Sequence, residues 1–326
     1  MISVILCTFN RSSLLHNALL SLARQDNLDK NACEVLVVDN NSQDSTKECT
    51  QTVIEKYPEI FRYYYEPHQG KSFALNLALK NAKGDVFAFT DDDVEVPPDW
   101  IARIWKAFQN IAIDGVGGKI LPKWETEQPY WFSKELYSNL ALIDYGNESF
   151  LLDNDKPFYG ANMAFRKIVF EKIGQFRTDL GRCGGILLGN EDTELYKRAF
   201  AAGFKMLYDP HVIVNHVIAE DRMKKKYFRK YNFRAGETIV LSGRDNATKC
   251  RNIFGIPLWR MKEYLVAFKK LIIQSLLLRR ESAFMNEIKV CEGAGYIYGR
   301  VRQKSINLKG LKKKVYDYCN SKNIII

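Results

Sequence analysis

Gly84-Asp85-Val86-Phe87-Ala88-Phe89-Thr90-Asp91-Asp92-Asp93-Val94-Glu95-Val96-Pro97-Pro98 runs from a glycine through a short apolar segment into three carboxylates. The apolar segment, Val86 to Phe89, predicts a buried strand. Pro97-Pro98 stops it soon after. In α/β sheets ligands bind beyond the carboxyl ends of strands. Three carboxylates at such an end repel one another unless a cation joins them. Hard oxygen donors on a loop suit Mg2+ or Mn2+, usually completed by substrate phosphates. An isolated pair of aspartates is commonly only a solvated acidic turn. The position directly behind an apolar strand favours a site.

Upstream, Ile2 to Cys7 and Glu34 to Asp39 read as two more buried strands. Arg62 to Glu66 reads as a fourth. Helices are expected from Ser12 to about Ala23, from the loop Asn40 to Thr46 on to about Lys56, and from Gly70 through Ala82. Strands alternating with helices at this spacing predict an α/β fold. Its sheet should be mostly parallel, with helices on both faces. Downstream, a helix is expected over 98–110, a strand near 114–120, and loops with short helices over 122–156. Phe158 to Arg166 reads as a strand. Gly181, Gly184, Gly185 and Gly189 form a Gly-rich loop leading to Asn190-Glu191-Asp192 and a helix to Ala202. Phe204 to Tyr208 and Val212 to Val217 read as two strands, the second carrying His216.

Charge divides the 326 residues unevenly. Residues 1–221 hold 23 Lys and Arg against 31 Asp and Glu; residues 222–326 hold 25 against 7. An acidic body with a basic last third predicts that this third meets something anionic, a membrane surface or a nucleic acid. Residues 222–234 interleave seven basic side chains with Tyr227, Phe228, Tyr231 and Phe233. Trp259 to Arg280 reads as one amphipathic helix with Leu265, Phe268, Ile272 and Leu276 on one face, and the basic tail beyond as only partly ordered. The expected division is therefore a catalytic domain at 1–221 and a basic, mainly helical region at 222–326. Within the first, a nucleotide-binding half is expected over about 1–96 and an acceptor and catalytic half over about 97–221. Seven cysteines form no CxxC pair and no zinc spacing, as reduced thiols in the cytoplasm would. The amino terminus shows no basic leader, and no apolar run nears the roughly 20 residues of a membrane span.

Several single residues have functional readings beside ordinary ones. Asp39 could cap a loop, or accept from a pyrimidine ring N–H or a ribose hydroxyl. Gly70-Lys71 at a helix start offers backbone N–H groups and a cation to a pyrophosphate. Neither GxxxxGK[ST] nor GxGxxG is present, which excludes an ATPase P-loop and a dinucleotide fingerprint. Glu191 and Asp192 could merely complement a helix dipole, or one could serve as general base for an acceptor hydroxyl. His216 is a core histidine unless it meets the Asp triplet in space.

Taken together, SVILCTFNR (3–11), EVLVVDNNSQDST (34–46), HQGKSFALNLAL (68–79), FTDDDVEVPPDW (89–100), FYGANMAFRK (158–167) and GNEDTELYKRAFAAGF (189–204), followed by His216, resemble the family 2 glycosyltransferases of the GT-A fold. The resemblance spans about residues 1–236. It implies a nucleotide-sugar donor bound by Thr8, Asn10, Arg11, Asp39 and Lys71, with Asp92 beside them. It implies a DxD motif in which Asp91 contacts the ribose and Asp93 holds Mn2+ or Mg2+. It implies that His216 adds a metal or diphosphate contact and that Gly160, Ala161 and Asn162 line the sugar pocket. Asp192 would be the catalytic base and Glu191 would orient a saccharide or lipid-linked acceptor. The QxxRW motif and the membrane spans of processive members are absent, so a single inverting transfer is expected, with UDP-sugar as first choice. No nucleic acid is expected as partner; an anionic membrane surface is, with the protein peripheral on its cytosolic face. The rival readings are a basic nucleic-acid-binding protein, which leaves the Asp triplet without a purpose, and a metal-dependent nucleotidyltransferase, which would release pyrophosphate.

Overall fold

All seven residues of β1 (Ile2–Thr8) are buried, and so are all seven of β2 (Cys33–Asp39). Strands without a polar face belong inside a sheet covered on both sides. A computed structural model, describing residues 1–26, 32–184, 189–243, 251–253 and 255–321 with side chains through residue 303, places them there. Around them stand α1 (Ser12–Ala23), α2 (Thr46–Lys56), β3 (Phe61–Tyr65), α3 (Lys71–Asn81) and β4 (Val86–Asp91). β1 pairs in parallel with β2 on one side and β4 on the other, and β3 extends the parallel set beyond β2. Strand order therefore reverses between β1 and β4, which opens a crevice at their carboxyl ends. The register sets Thr8 opposite Asp39 and Cys7 opposite Asp91. Gly84 is obligatory at the entry to β4: a Cβ there would lie 2.7 Å from both Met1 O and Ser3 N.

The chain then adds β5 (Val94–Glu95), α4 (Trp100–Ala107), β6 (Gly115–Trp124), β7 (Phe150–Leu151), β8 (Met163–Arg166), α5 (Lys167–Ile173), α6 (Glu191–Ala201) and β9 (Met206–Ile218). Among the described residues the sheet runs β3-β2-β1-β4-β8-β6-β9-β5, with β7 also on β9. β8 is antiparallel to both β4 and β6, so the sheet is mixed in this half.

Three expectations change here. The two strands predicted at 204–208 and 212–217 are one strand, β9, which passes through Pro210. The proline has no N–H to give the ladder, and β6 shifts register at Gly117 to Lys119 opposite it. The strand predicted from Phe158 begins only at Met163, because Asn162 N donates to Tyr159 O and closes a turn. Asn162, expected in the sugar pocket, is committed to the core. Its Oδ1 accepts from the buried Trp100 indole, and its Nδ2 donates to Lys119 O and Val212 O.

The chain divides into two compact units, Met1–Lys224 and Lys225–Ile326. The second contains α7 (Lys225–Leu241), α8 (Leu258–Leu276) and α9 (Arg280–Ser321). Glycines let α7 and α9 touch backbone to backbone: a Cβ on Gly236 would lie 1.9 Å from Glu292 O, and one on Gly295 1.7 Å from Phe233 O. Glu237 is fully buried and pairs with Arg234 and with Arg302 of α9. The single helix predicted over 259–280 is broken. Leu278 takes a left-handed φ of 55° between α8 and α9. The tail, expected only partly ordered, continues as helix to Ser321. No helix among the described residues is long and apolar enough to cross a membrane.

Removing the Asn162 side chain strands one buried donor and two carbonyls, and such groups cost roughly 1–3 kcal/mol each when left unpaired. Asn162→Ala is expected to lower the unfolding free energy by about 3 kcal/mol or more in denaturant titration. Unchanged stability with lost donor affinity would instead return Asn162 to the sugar pocket.

Candidate active site

The three carboxylates sit where β4 ends, and each is engaged by groups from elsewhere in the first unit. Thr8, at the end of β1, donates to Asp92 Oδ2 at 2.8 Å. Arg11 Nη1 reaches Asp92 Oδ1 at 3.0 Å and Asp93 Oδ2 at 2.9 Å. Lys71, the first residue of α3, lies 2.6 Å from Asp91 Oδ1. From the far end of β9, Arg222 Nη2 lies 2.6 Å from Asp93 Oδ2 and His216 Nε2 3.2 Å from Asp93 Oδ1. The β5–β9 pairing sets this up by placing Val94 opposite His216, with Val217 N donating to Asp93 O.

Burial opposes ionisation of all three carboxyls, and their neighbours decide the outcome. His216 at one oxygen and Arg222 at the other hold Asp93 well below the ordinary carboxylate range. Lys71 lowers Asp91 against the same burial. Burial prevails at Asp92, whose carboxyl is raised despite Arg11. The middle residue thus takes up a proton more readily than its neighbours.

All of these groups except the buried Arg222 line a cavity of about 310 Å3, together with Cys7, Asn10, Asn40, Gln69 and the segment Arg182 to Gly184. Of the donor-side residues predicted from sequence, Thr8, Asn10, Arg11, Lys71, Asp91, Asp92, Asp93 and His216 all lie on its wall. Asn10 adopts φ 52° and its Oδ1 accepts from Gln43 N, which ties the loops after β1 and β2 together. Asp39 does not form the wall; Asn40 does. Both Asp39 oxygens are already used, by Ser42 N and by the Tyr63 hydroxyl. A base ring N–H would have to share an oxygen that already accepts one hydrogen bond. Gly70 and Lys71 do not offer free backbone N–H groups: Gly70 N donates to Asn40 Oδ1 and Lys71 N to Arg182 O. Only the Lys71 ammonium faces the site.

Glu191 and Asp192, expected on the acceptor side, meet Lys71 of the cavity wall and, in the expected sugar pocket, Gly160. Its N–H donates to Asp192 Oδ2 at 2.9 Å, and the other Asp192 oxygen accepts from Thr193 N. A Cβ on Gly160 would lie 3.4 Å from Lys71 Nζ and 3.7 Å from Asp192 Oδ2, so this glycine keeps open the gap between the Lys71–Asp91 pair and Asp192. Ala161 is buried behind it. Glu191 lies 3.7 Å from Lys71 Nζ and is buried. Burial and the adjacent Asp192 push its carboxyl up to about 7, against the pull of Lys71. Gly185 of the Gly-rich loop lies outside the described residues.

Whether these side chains fit a divalent cation is answered at His216. Arg222 Nη1 lies 2.9 Å from the same Nε2 that faces Asp93. A guanidinium only donates, so Nε2 must be bare toward Arg222 and protonated toward Asp93; one nitrogen cannot be both. The remaining ring nitrogen, Nδ1, is buried without a hydrogen-bond partner. A carboxylate and a bare imidazole nitrogen converging on one cation would suit a divalent ion. No cluster of three or more His, Cys, Asp or Glu among the described residues could hold one alone, so phosphate oxygens and water must complete the shell.

Arg222 is the residue that sequence reading missed. Its charge reads as part of the basic third, and the signal that could separate it is its place six residues past His216, in the short turn that follows β9.

Residues 3–174 match the family described as glycosyl transferase family 2, and the chain belongs to that family. It is 26% identical over 314 residues to the succinoglycan biosynthesis protein ExoM of Rhizobium meliloti (strain 1021), covering 96% of each chain. It is 24% identical over 275 residues to the glucosyl-dolichyl phosphate glucuronosyltransferase of Haloferax volcanii, covering 81% of this chain and 85% of that one. Among solved structures it resembles the mannosyltransferase PcManGT from Pyrobaculum calidifontis in complex with GDP-Man and Mn2+. That likeness has a TM-score of 0.57 at 18% identity and covers 99% of this chain and 83% of the other. The protein is a glycosyltransferase with the GT-A fold.

The raised Glu191 carboxyl has a consequence for stability. Folded protein keeps a proton that the unfolded chain releases above its ordinary value of 4.5, so stability present at acid pH is lost as pH rises toward 7 and is level beyond. Glu191→Gln should flatten this fall by roughly 1–3 kcal/mol, read by denaturant titration across that window. Equal slopes in the two proteins would show that Glu191 titrates normally.

Proposed function

We propose that the protein transfers one sugar, with inversion, from a nucleotide-sugar donor, UDP-linked in the first instance, to a hydroxyl of a saccharide or lipid-linked acceptor. The transfer depends on Mn2+ or Mg2+ and serves the synthesis of surface polysaccharide or glycolipid at the cytosolic face of a membrane. The observation that carries this reading is the meeting of two clusters at Gly160. On one side stand the Asp triplet and its cations; on the other stand Glu191 and Asp192. The succinoglycan and dolichyl-phosphate roles in the names of ExoM and the Haloferax enzyme support the acceptor class, and the GDP-Man and Mn2+ held by PcManGT support a nucleotide-sugar donor and a divalent metal.

In this reading Lys71, Arg11 and Arg222 hold the diphosphate side of the donor. Lys71 stays protonated, because Asp91 and Glu191 raise its ammonium despite burial. Asp91 and Asp92 receive the donor, with Thr8 and Arg11 fixing Asp92 in place. A divalent ion held by Asp93 and His216 would neutralise charge on the departing diphosphate. Gly160 leaves room for the sugar between Lys71 and Asp192. Asp192, oriented by the N–H groups of Gly160 and Thr193, takes the acceptor hydroxyl proton. The hydroxyl oxygen then forms its bond to the anomeric carbon as the bond to the nucleoside diphosphate breaks on the opposite face. One displacement inverts the configuration, and Glu191 orients the acceptor. All of these residues belong to the first unit.

A panel of nucleotide sugars with Mn2+, scored for release of nucleoside diphosphate, tests the reading. Asp192→Asn should lose about 10²-fold or more in transfer with donor affinity nearly unchanged, the scale of general-base catalysis. Release of pyrophosphate, or full turnover in EDTA, would overturn the assignment. Gly160→Ala gives a second test. Its added methyl makes only ordinary contacts, so thermal stability should hold while transfer falls about 10-fold or more through displacement of the sugar. Full activity in this variant would remove the sugar from the gap.

A further inference from the structure

The second unit leaves a row of apolar side chains in water. On α8, Leu265, Phe268, Ile272 and Leu276 are 58%, 50%, 46% and 79% exposed. Their spacing of three and four residues puts them on one helix face. The row continues past the helix end into Leu278, which is 80% exposed. Only Ala267 of α8 is buried, so the helix turns most of its apolar surface outward. An apolar row of this length on a soluble surface marks a contact site.

A groove of about 320 Å3 opens between α8 and α9. Its walls include Lys262, Lys270 and Lys289, with Asn286, Val266 and the half-exposed Trp259. Glu263 is the one carboxylate on its wall. Lys262 and Lys270 have no ion-pair partner among the described residues. Lys262 and Lys270 thus stand without ion pairs in a groove that Trp259 also lines, and the exposed Val266 and Ile273 fill the helix surface between that groove and the apolar row.

We propose that α8 and this groove form the surface by which the protein docks on an anionic lipid bilayer. The apolar row enters the boundary between headgroups and acyl chains. The lysines take lipid phosphate, and Trp259 sits at headgroup level, where amphipathic rings are favoured. The proposal deepens the membrane placement given above and rests on it for biological sense, not for its evidence. Charge selects this occupant. Residues 222–326 hold 25 Lys and Arg against 7 Asp and Glu, so a second copy would bring like charges face to face. A nucleic acid would use the lysines but leave Leu265, Ile272 and Leu276 without a partner, since strand binders place aromatic rings for base stacking.

Flotation of the full chain with phosphatidylcholine vesicles, with and without phosphatidylglycerol, tests the proposal. Wild type should float with the anionic vesicles at low salt and much less with the neutral ones. Lys262→Glu with Lys270→Glu should weaken anionic partitioning about 10-fold or more, at several-fold per charge. Leu265→Ser with Phe268→Ser and Ile272→Ser should abolish it. All these side chains are solvent-facing, so donor hydrolysis in solution should be unaffected. Absence of wild-type flotation, or flotation indifferent to either set of changes, overturns the docking surface. A change from dimer to monomer in the serine variant with flotation intact makes the row a self-association face instead. Lost donor hydrolysis with flotation intact counts against the transferase reading alone.

Discussion

Three consecutive carboxylates, two of them almost sealed from water, repel one another strongly enough to matter to a whole domain. Two unit charges about 4 Å apart interact by roughly 4 kcal/mol at the effective dielectric near a protein surface, against a total stability of about 5–15 kcal/mol. Cations must therefore be built around Asp91, Asp92 and Asp93, and each arrives from a different part of the chain. Arg11 follows β1, Lys71 begins α3, and Arg222 follows β9. The triplet thus acts as a clamp that draws the nucleotide-side crossovers and the last long strand to one corner. The same cations would suit a diphosphate, which is the role the proposed function gives them.

The crowding is sharpest at Asp93 and His216. One imidazole nitrogen faces both a carboxylate and a guanidinium, and its needs toward the two are opposed. Interactions left unresolved in a fold tend to sit where function resolves them. Arg222 is the group that bridges them, 2.6 Å from Asp93 Oδ2 and 2.9 Å from His216 Nε2.

Much of this was legible in the residues. The strands β1, β2 and β4 announce themselves because burial on both faces leaves no polar alternation to confuse, and the triplet is conspicuous at the end of the third. What stayed hidden shares one physical cause: long-range pairing carries no local mark. Asn162 reads as a pocket residue until Trp100, far off in sequence, claims its oxygen. The backbone N–H groups of Gly70 and Lys71 read as available until Asn40 and Arg182 take them. Arg222 reads as one more basic residue in a basic tract. The helix break at Leu278 escaped because a leucine gives no warning of a left-handed backbone, whereas the fusion of two strands into β9 escaped because Pro210 warns of a break that does not occur.

The segment Leu180 to Cys183 fastens to the start of α3 at several points. Ser72 Oγ donates to Leu180 O, Lys71 N to Arg182 O, and Cys183 Sγ to Gln69 O, while Gly181, at φ 97°, has no room for a Cβ beside Ser72. Lys71, which the proposed reading assigns to the donor, is thereby stitched to the stretch that precedes Glu191 and Asp192 in sequence. On the proposed reading, donor choice and acceptor choice would not be separate modules in this protein. A chimera cut between the halves, at about residue 97, would sever that seam. Swapping specificity between relatives calls for exchanging 69–72 and 180–183 as one cassette.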